Sequence, residues 1–458
     1  MANPWLPPTI QPLERLHVTD GLLMNAQRWR LAHEYHRQRQ NLAYQSLNEP
    51  GIVCGLGVGV IPAPPDVRSQ YRDGRWVQVQ PGIAIDLYGN IIVVNEPISF
   101  HVVSQNFTSA PILIYLTIRY VDPEKLQVQS KSEIIRETFR IDEKSSPPAE
   151  LELELCRLLL PPTDSSSVNP IELRNATNVF FPKASELDLR YRLQAKARPQ
   201  SVIRVAQVYD ESQSDLSESL HYLLQSIEAL YPAMRGIPSI DLVNFFSTTP
   251  LDYDLIYWKI HEGLHLTPAQ IVSLSEYLNR GGVLLVDVST KGTKLEELDN
   301  ISQQLKEAIA RLETSLQSSE ENDEEANTLI EVKEQLEEEW LATKANLDEE
   351  MKKLTATFSG LAEQLGTPLQ DIRNYGKHHP LRNFPFLFSA LPLVNQQETR
   401  LLLGGGLLLT IGNLSTAWGL DDNYSLPRET IRTAQEMGIN ILHFAWQRRQ
   451  LHQLQQIS

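Results

Sequence analysis

Residues 260–270 read IHEGLHLTPAQ, and His261-Glu262-Gly263-Leu264-His265 within them spells H-E-x-x-H. In zinc peptidases that spacing sets two imidazoles one helical turn apart on a single metal, with the glutamate as base toward the bound water. The chemistry needs a helix beneath the motif. Here the helix signals come later: Thr267 as N-cap, Pro268 at the first helical position, and Gln270 completing a T-x-x-Q capping box. Gly263 interrupts the motif, and DLIYWKI (254–260) before it reads as a strand. The five residues are therefore expected in a strand-to-helix connection at the carboxyl edge of a sheet, where α/β proteins bind ligands. A zinc metallopeptidase or hydrolase using this loop, or a small-ligand-binding α/β domain, is the competing reading.

Other reactive residue types carry blander meanings. His33 and His36, three apart on a polar helix, read as a solvated or packed face rather than a metal pair. His378-His379-Pro380 reads as a turn before proline, and Gly404-Gly405-Gly406 lacks the Lys-Ser/Thr of a P-loop. Cys54, in an apolar run, is expected to be a buried small hydrophobe. Trp340 is expected to pack in a helical seam. No residue is assigned a catalytic, cofactor-binding or metal-ligating role.

The elements that would position these residues fall into blocks. Residues 1–16 are Pro-rich and read as an extended arm. MNAQRWRLAHEYHRQRQNLAY (24–44) reads as a polar helix, with Trp29, Ala32 and His36 and also Leu31, Tyr35 and Leu42 at helical spacing, stopped by NEPG (48–51). GIVCGLGVGV (51–60), WVQVQPG (76–82), a hairpin in IAIDLYGNIIVV (83–94), ILIYLTIRYV (112–121) and LELELCRLLL (151–160) read as strands of an antiparallel sandwich or barrel. PPTDSSSVNP (161–170) reads as a loop. Strand and helix alternate after residue 200: strands at 201–209, 254–260 and 283–288, helices at 216–231 and 267–282. That order predicts a parallel sheet with helices on both faces. TRLLLGGGLLLTIG (399–412) supplies further strands, and a helix from Pro427 is expected to close at Gly438, before INILHFAWQRRQ packs an apolar face.

Leu298, Ile301, Leu305, Ile309, Leu312 and Leu316 recur at spacings of three and four, as do Leu347, Met351, Leu354, Phe358, Leu361 and Leu365. With the polar run 318–327 between them, they predict an antiparallel helical hairpin inserted in the α/β domain. The fold expected is multidomain α+β and α/β. An N-terminal arm and helix (1–50) and a β-rich docking domain (51–198) precede a Rossmann-like three-layer α/β domain (199–293 and 366–450). An antiparallel coiled-coil hairpin (294–365) interrupts the latter.

The net charge is −16 over 458 residues, with 41% hydrophobic and 21% charged residues. Lys294 to Leu365 alone hold 19 acidic and 7 basic residues, a net of −12. An anionic chain is a poor phosphate-backbone binder, so no nucleic-acid partner is expected. Two distant cysteines, Cys54 and Cys156, make no disulfide framework and point to a reducing compartment. MANPWLPPTI has no signal-peptide pattern, and LLLGGGLLLTIG (401–412) is too short to span a bilayer, so membrane contact is expected to be peripheral or through partners.

Two stretches resemble known families. DGLLMNAQRWRLAHEYHRQRQNLAYQSLNEPGIVCGLGVGV with VQVQPGIAIDLYGNIIVV is similar to an N-terminal module of baseplate-associated proteins in phage-tail-like contractile injection systems. The matching positions are Gly51, Val53, Cys54, Gly55, Leu56, Pro81, Gly82, Ala84, Ile85, Asp86 and Gly89. YDLIYWKIHEGLHLTPAQIVSLSEYLNRGGVLLVDV, with HHPLRNFPF, TIGNLSTAWG and AQEMGINILHFAW, looks like an uncharacterised bacterial domain of glutamine-amidotransferase-like fold. VLLVDV runs into Ser289-Thr290-Lys291 and the second domain holds no cysteine, so amidotransferase chemistry is not expected. The resemblance implies a non-enzymatic structural component of a contractile injection system. It implies partners among baseplate, sheath or spike subunits and symmetry-related copies, no cofactor, and a cytoplasmic particle docked at the inner face of a membrane.

Overall fold

A division between Arg198 and Pro199 separates two units in the computed structural model, each with its own core. The structure describes residues 12–123, 134–162, 172–209, 218–243, 252–260, 266–288, 290, 292–318, 323–394, 397–419 and 425–455. Residues 1–11 of the arm expected at 1–16, most of the loop at 161–170, the H-E-x-x-H at 261–265, and Ser289 and Lys291 lie outside them. The described residues make a mixed α and β protein with several sheets. Among them no helix is long and apolar enough to cross a membrane.

The first unit opens with helix α1 (Ala26–Leu47), N-capped by Asn25, whose side chain accepts from the Arg28 amide. Ten strands follow: β1 (Gly51–Gly55), β2 (Val58–Ile61), β3 (Trp76–Val79), β4 (Gly82–Ile85), β5 (Ile91–Val94), β6 (Ile98–His101), β7 (Ile112–Val121), β8 (Thr138–Lys144), β9 (Leu153–Leu160) and β10 (Leu187–Asp188). They pair antiparallel in three sheets, β1-β4-β5, β2-β3-β6 and β10-β9-β7-β8, around one shared apolar core.

Residues 51–60, expected as one strand, are two strands in different sheets. The register of β1 against β4 slips between Ile52 and Cys54, and Gly55 and Leu56 both take positive φ before β2 begins. A bulge of this kind breaks the in–out alternation. Cys54 is accordingly exposed, contrary to the expectation that it is buried, and Cys156 is the enclosed thiol. Burial pushes the Cys156 pKa up to about 12. A maleimide reagent added to the folded chain should therefore label Cys54 alone. Rapid labelling of Cys156 before unfolding would contradict this packing.

The second unit runs β11 (Ser201–Ile203), β12 (Val205–Val208), α2 (Glu218–Leu230), β13 (Met234–Gly236), β14 (Asp241–Val243), β15 (Leu255–Ile260), α3 (Pro268–Asn279), β16 (Val283–Val288), α4 (Lys294–Ser318), α5 (Asp323–Gln364), β17 (Gln370–Asp371), α6 (Pro380–Asn383), β18 (Leu393–Val394), β19 (Gln397–Glu398), β20 (Arg400–Gly404), β21 (Leu407–Ile411) and α7 (Arg428–Gln455). The main sheet has seven strands in the order β14-β12-β15-β16-β21-β20-β17. The first five are parallel; β20 and β17 add an antiparallel edge. The run VLLVDV is buried at every position because both faces are covered. Alternate residues of the central strands meet α2 and α7 on one face, and α3 with the end of α5 on the other.

Residues 201–209, expected as one strand, split at Arg204. Its amide donates to Asp254 Oδ2 at 2.7 Å, and the chain passes from pairing with β13 to the main sheet. Gly438 does not close a helix: α7 runs through it for 28 residues. A Cβ there would lie 2.6 Å from a Leu223 methyl, so this glycine serves helix crossing, where local sequence suggested a stop.

The acidic insertion forms two antiparallel helices. Lys294 Nζ meets Glu350 at 3.0 Å, and Lys333 Nζ meets Glu313 at 2.9 Å. The second helix begins at Asp323, inside the run expected to separate the arms, and spans 42 residues. Its last turns belong to the α/β core, since Phe358, Leu361 and Ala362 pack with β12, β15, β16 and β21. Half-buried Trp340 lies under the Lys344 ammonium at 5.1 Å.

His443 on α7 is enclosed by Phe384, at 4.5 Å between ring centres, and Trp446, at 5.7 Å. Its Nδ1 has no hydrogen-bond partner among the described residues. Burial lowers its pKa from the ordinary 6.5. The unfolded chain then binds a proton where the folded chain does not, so stability should fall as pH drops through 6.5 toward the folded-state value. Urea titrations at stepped pH should show this slope, and His443→Phe should flatten it.

Candidate functional site

At the carboxyl edge of the main sheet the described flanks of the H-E-x-x-H are clear. Strand β15 ends at Ile260, and α3 starts at Pro268 behind a complete Thr267–Gln270 capping box. Neither element contains His261 to His265, which fall outside the described residues. Among the described residues no three His, Cys, Asp or Glu side chains are grouped to hold a metal.

The same edge carries a buried carboxylate, Asp287, near the end of β16. It accepts from Tyr257 Oη at 3.0 Å, from Thr410 Oγ1 at 2.7 Å and from the Ser415 hydroxyl. Beyond it Asn413, at φ 58°, donates to Thr290 Oγ1 at 3.2 Å. Three hydroxyl donors supply the hydrogen bonds that burial of a carboxylate demands, so Asp287 works as a strut across β15, β16 and β21.

The more open feature is on the first unit. Helix α1 has 22 residues and not one is fully buried. Ala26, Trp29, His33, His36, Gln40, Ala43 and Leu47 recur at alternating spacings of three and four, and all are exposed. That is the heptad spacing of a helix that seats on another. Arg30, Arg37 and Arg39 flank it, and across the helix four arginines face Glu34 alone. Trp29 is 60% exposed and its ring stands edge-on to His33 at 5.1 Å. An open groove of about 1130 Å³ runs along this side, with Trp29, His33 and Arg37 on one wall and Tyr120, Asp122 and Ile135 on the other. Arg37 ties the walls through Asp122 at 3.4 Å, and pairs with Glu34 on its own helix at 2.7 Å.

Residues of the β4–β5 turn hold α1 from beneath. Asp86, buried, accepts from the amides of Tyr88 at 2.9 Å and Asn90 at 2.8 Å. Burial raises its pKa against these bonds, which favour the carboxylate. Gly89, at φ 76°, lies so close to α1 that a Cβ would sit 2.2 Å from the Asn41 carbonyl. Gln45 Nε2 donates to the Tyr88 carbonyl at 2.6 Å, and the Asn41 and Asn90 amides lie 2.7 Å apart. Gly55 and Gly82 face each other similarly, each within 3 Å of the other's backbone if given a Cβ.

The structure separates the sequence-singled residues. His33 and His36 lie together on the exposed stripe of α1, whereas His379 caps α6, its Nδ1 accepting from the Leu381 amide at 3.3 Å. The sequence left the His33 and His36 face either solvated or packed; the structure places both on an exposed stripe that runs from Ala26 to Leu47 at three–four spacing.

A family model described as "Domain of unknown function (DUF4159)" matches residues 202–320. The matched segment starts in β11 and runs through α4, well under half of the chain. No curated protein matches.

Proposed function

We propose that this chain is a non-enzymatic structural component of a phage-tail-like contractile injection system, in or around the baseplate, acting through protein–protein contacts. The carrying observation is α1: a 22-residue helix with no fully buried residue, clamped at Gly89 and Asn90, holding a heptad-spaced stripe outward. Most helical stability in proteins comes from packing one face of the helix, and a face left open around an exposed tryptophan suits contact with a partner. The likeness of the α1 and β1–β5 region to the baseplate-associated module supports the same reading.

The α/β unit acts in this reading as a Rossmann-like three-layer scaffold of glutamine-amidotransferase type, without the cysteine nucleophile. The acidic helices form an antiparallel coiled coil that reaches a neighbouring subunit. The chain works in the cytoplasm as part of a large particle, at the inner face of a membrane.

Isolation of the native particle tests this. The chain should co-purify with sheath and spike subunits, and Trp29→Ala combined with Arg30→Glu should be lost from the particle while its melting temperature holds. A chain that is always solitary would end the proposal. So would zinc bound stoichiometrically and lost on His261→Ala.

A further inference from the structure

The paired acidic helices carry a second open surface. Their seam is half-closed: none of the predicted seam positions of α4 is fully buried, and Ile301 is 47% and Val332 40% exposed. A groove of about 450 Å³ lies along it, with Gln304, Glu307, Arg311, Leu312, Val332 and Leu336 among its lining residues. On α4, residues 301, 304, 308, 311 and 315 repeat the three–four spacing of the exposed α1 stripe. A seam left open in this way by two helices is a seat into which a third helix can pack.

Charge selects the third helix. The segment is −12; Glu307 and Arg311, 3.9 Å apart, both line the groove, and exposed Glu331, Glu334, Glu338 and Glu339 on α5 keep its surroundings acidic. Another acidic pair would be repelled. Helix α1 has the opposite sign, with Arg30, Arg37 and Arg39 beside its stripe, and its 22 residues are comparable in length to the 25 of α4. Arginines flanking one stripe and glutamates flanking the other are the arrangement that sets partner choice between packed helices.

We infer that α1 of one copy seats on the α4–α5 seam of a second copy. The two surfaces differ, so the contact is heterologous and repeats head to tail, giving a ring if the rotation closes and an open chain if it does not. The inference deepens the structural reading above and rests on it for its setting in a ring of copies.

Sedimentation velocity on the full-length chain tests it. The wild type should associate with rising concentration into species beyond a dimer, and added salt should weaken this. Arg30→Glu with Arg39→Glu should weaken association by about tenfold or more, and Glu307→Arg with Glu339→Arg should do likewise. Mixing the two doubly substituted proteins should restore assembly, because each then offers the surface the other needs. A chain that stays monomeric at every concentration overturns the contact. Assembly indifferent to both charge reversals does so too, as does a mixture that fails to recover. If these fail while the chain still co-purifies with sheath and spike, the contact is wrong and the particle assignment stands.

Discussion

Gly89→Ala should destabilise the first unit by about 3 kcal/mol or more and release α1 from the β4–β5 turn. Two costs add. Gly89 sits at φ 76°, where a Cβ costs roughly 1–2 kcal/mol by itself. The new methyl would also lie 2.2 Å from the Asn41 carbonyl, a backbone atom that cannot rotate away. Either α1 lifts or the turn deforms, and both break the Gln45–Tyr88 bond and the Asn41–Asn90 approach. Gly21 is the control: its φ is 80°, but nothing lies within 4 Å of its Cβ site. Gly21→Ala should show only the backbone cost. Hydrogen exchange should find α1 amides losing protection in the Gly89 variant and not in the Gly21 variant. Equal effects would mean that α1 is not held by this turn.

Phe358→Ala should cost about 3–5 kcal/mol, the range for a large aromatic removed from a closed core. Phe358 is fully buried and meets Trp258 edge-on at 6.2 Å between ring centres. Leu305→Ala, in the half-exposed part of the helical pair, should cost far less, because water already reaches that seam. The contrast places the border between core and projecting arm within α5. For a unit of this size the Phe358 variant should melt on the order of 10 °C lower. If both substitutions cost the same, the end of α5 is no more a part of the sheet's cover than the arm is.

Much of the secondary structure was legible because its signals are local. Thr267, Pro268 and Gln270 announce the start of α3 through bonds that span three residues. The 112–121 and 283–288 strands are β-branched and apolar runs whose bounds follow from composition. Asp86 and Gly89 mark a turn whose hydrogen bonds close within five residues.

The misreadings share one cause, a dependence on atoms distant along the chain. Gly438 resembles a helix stop until Leu223 is seen against it. Arg204 ends a strand because Asp254, fifty residues on, captures its amide. Cys54 turns outward because β4 fixes a slipped register in β1.

The sequence by itself determined the period of the long elements, the capping box that starts α3, and the concentration of negative charge between Lys294 and Leu365. These depend on neighbours a few bonds apart, and hold whatever the chain later packs against. Only tertiary structure decided which stripe of α1 faces water, that α5 ends inside the core, and that the acidic seam stays half-open. Burial is a property of surfaces that meet across long stretches of chain, and no local pattern encodes which surface arrives.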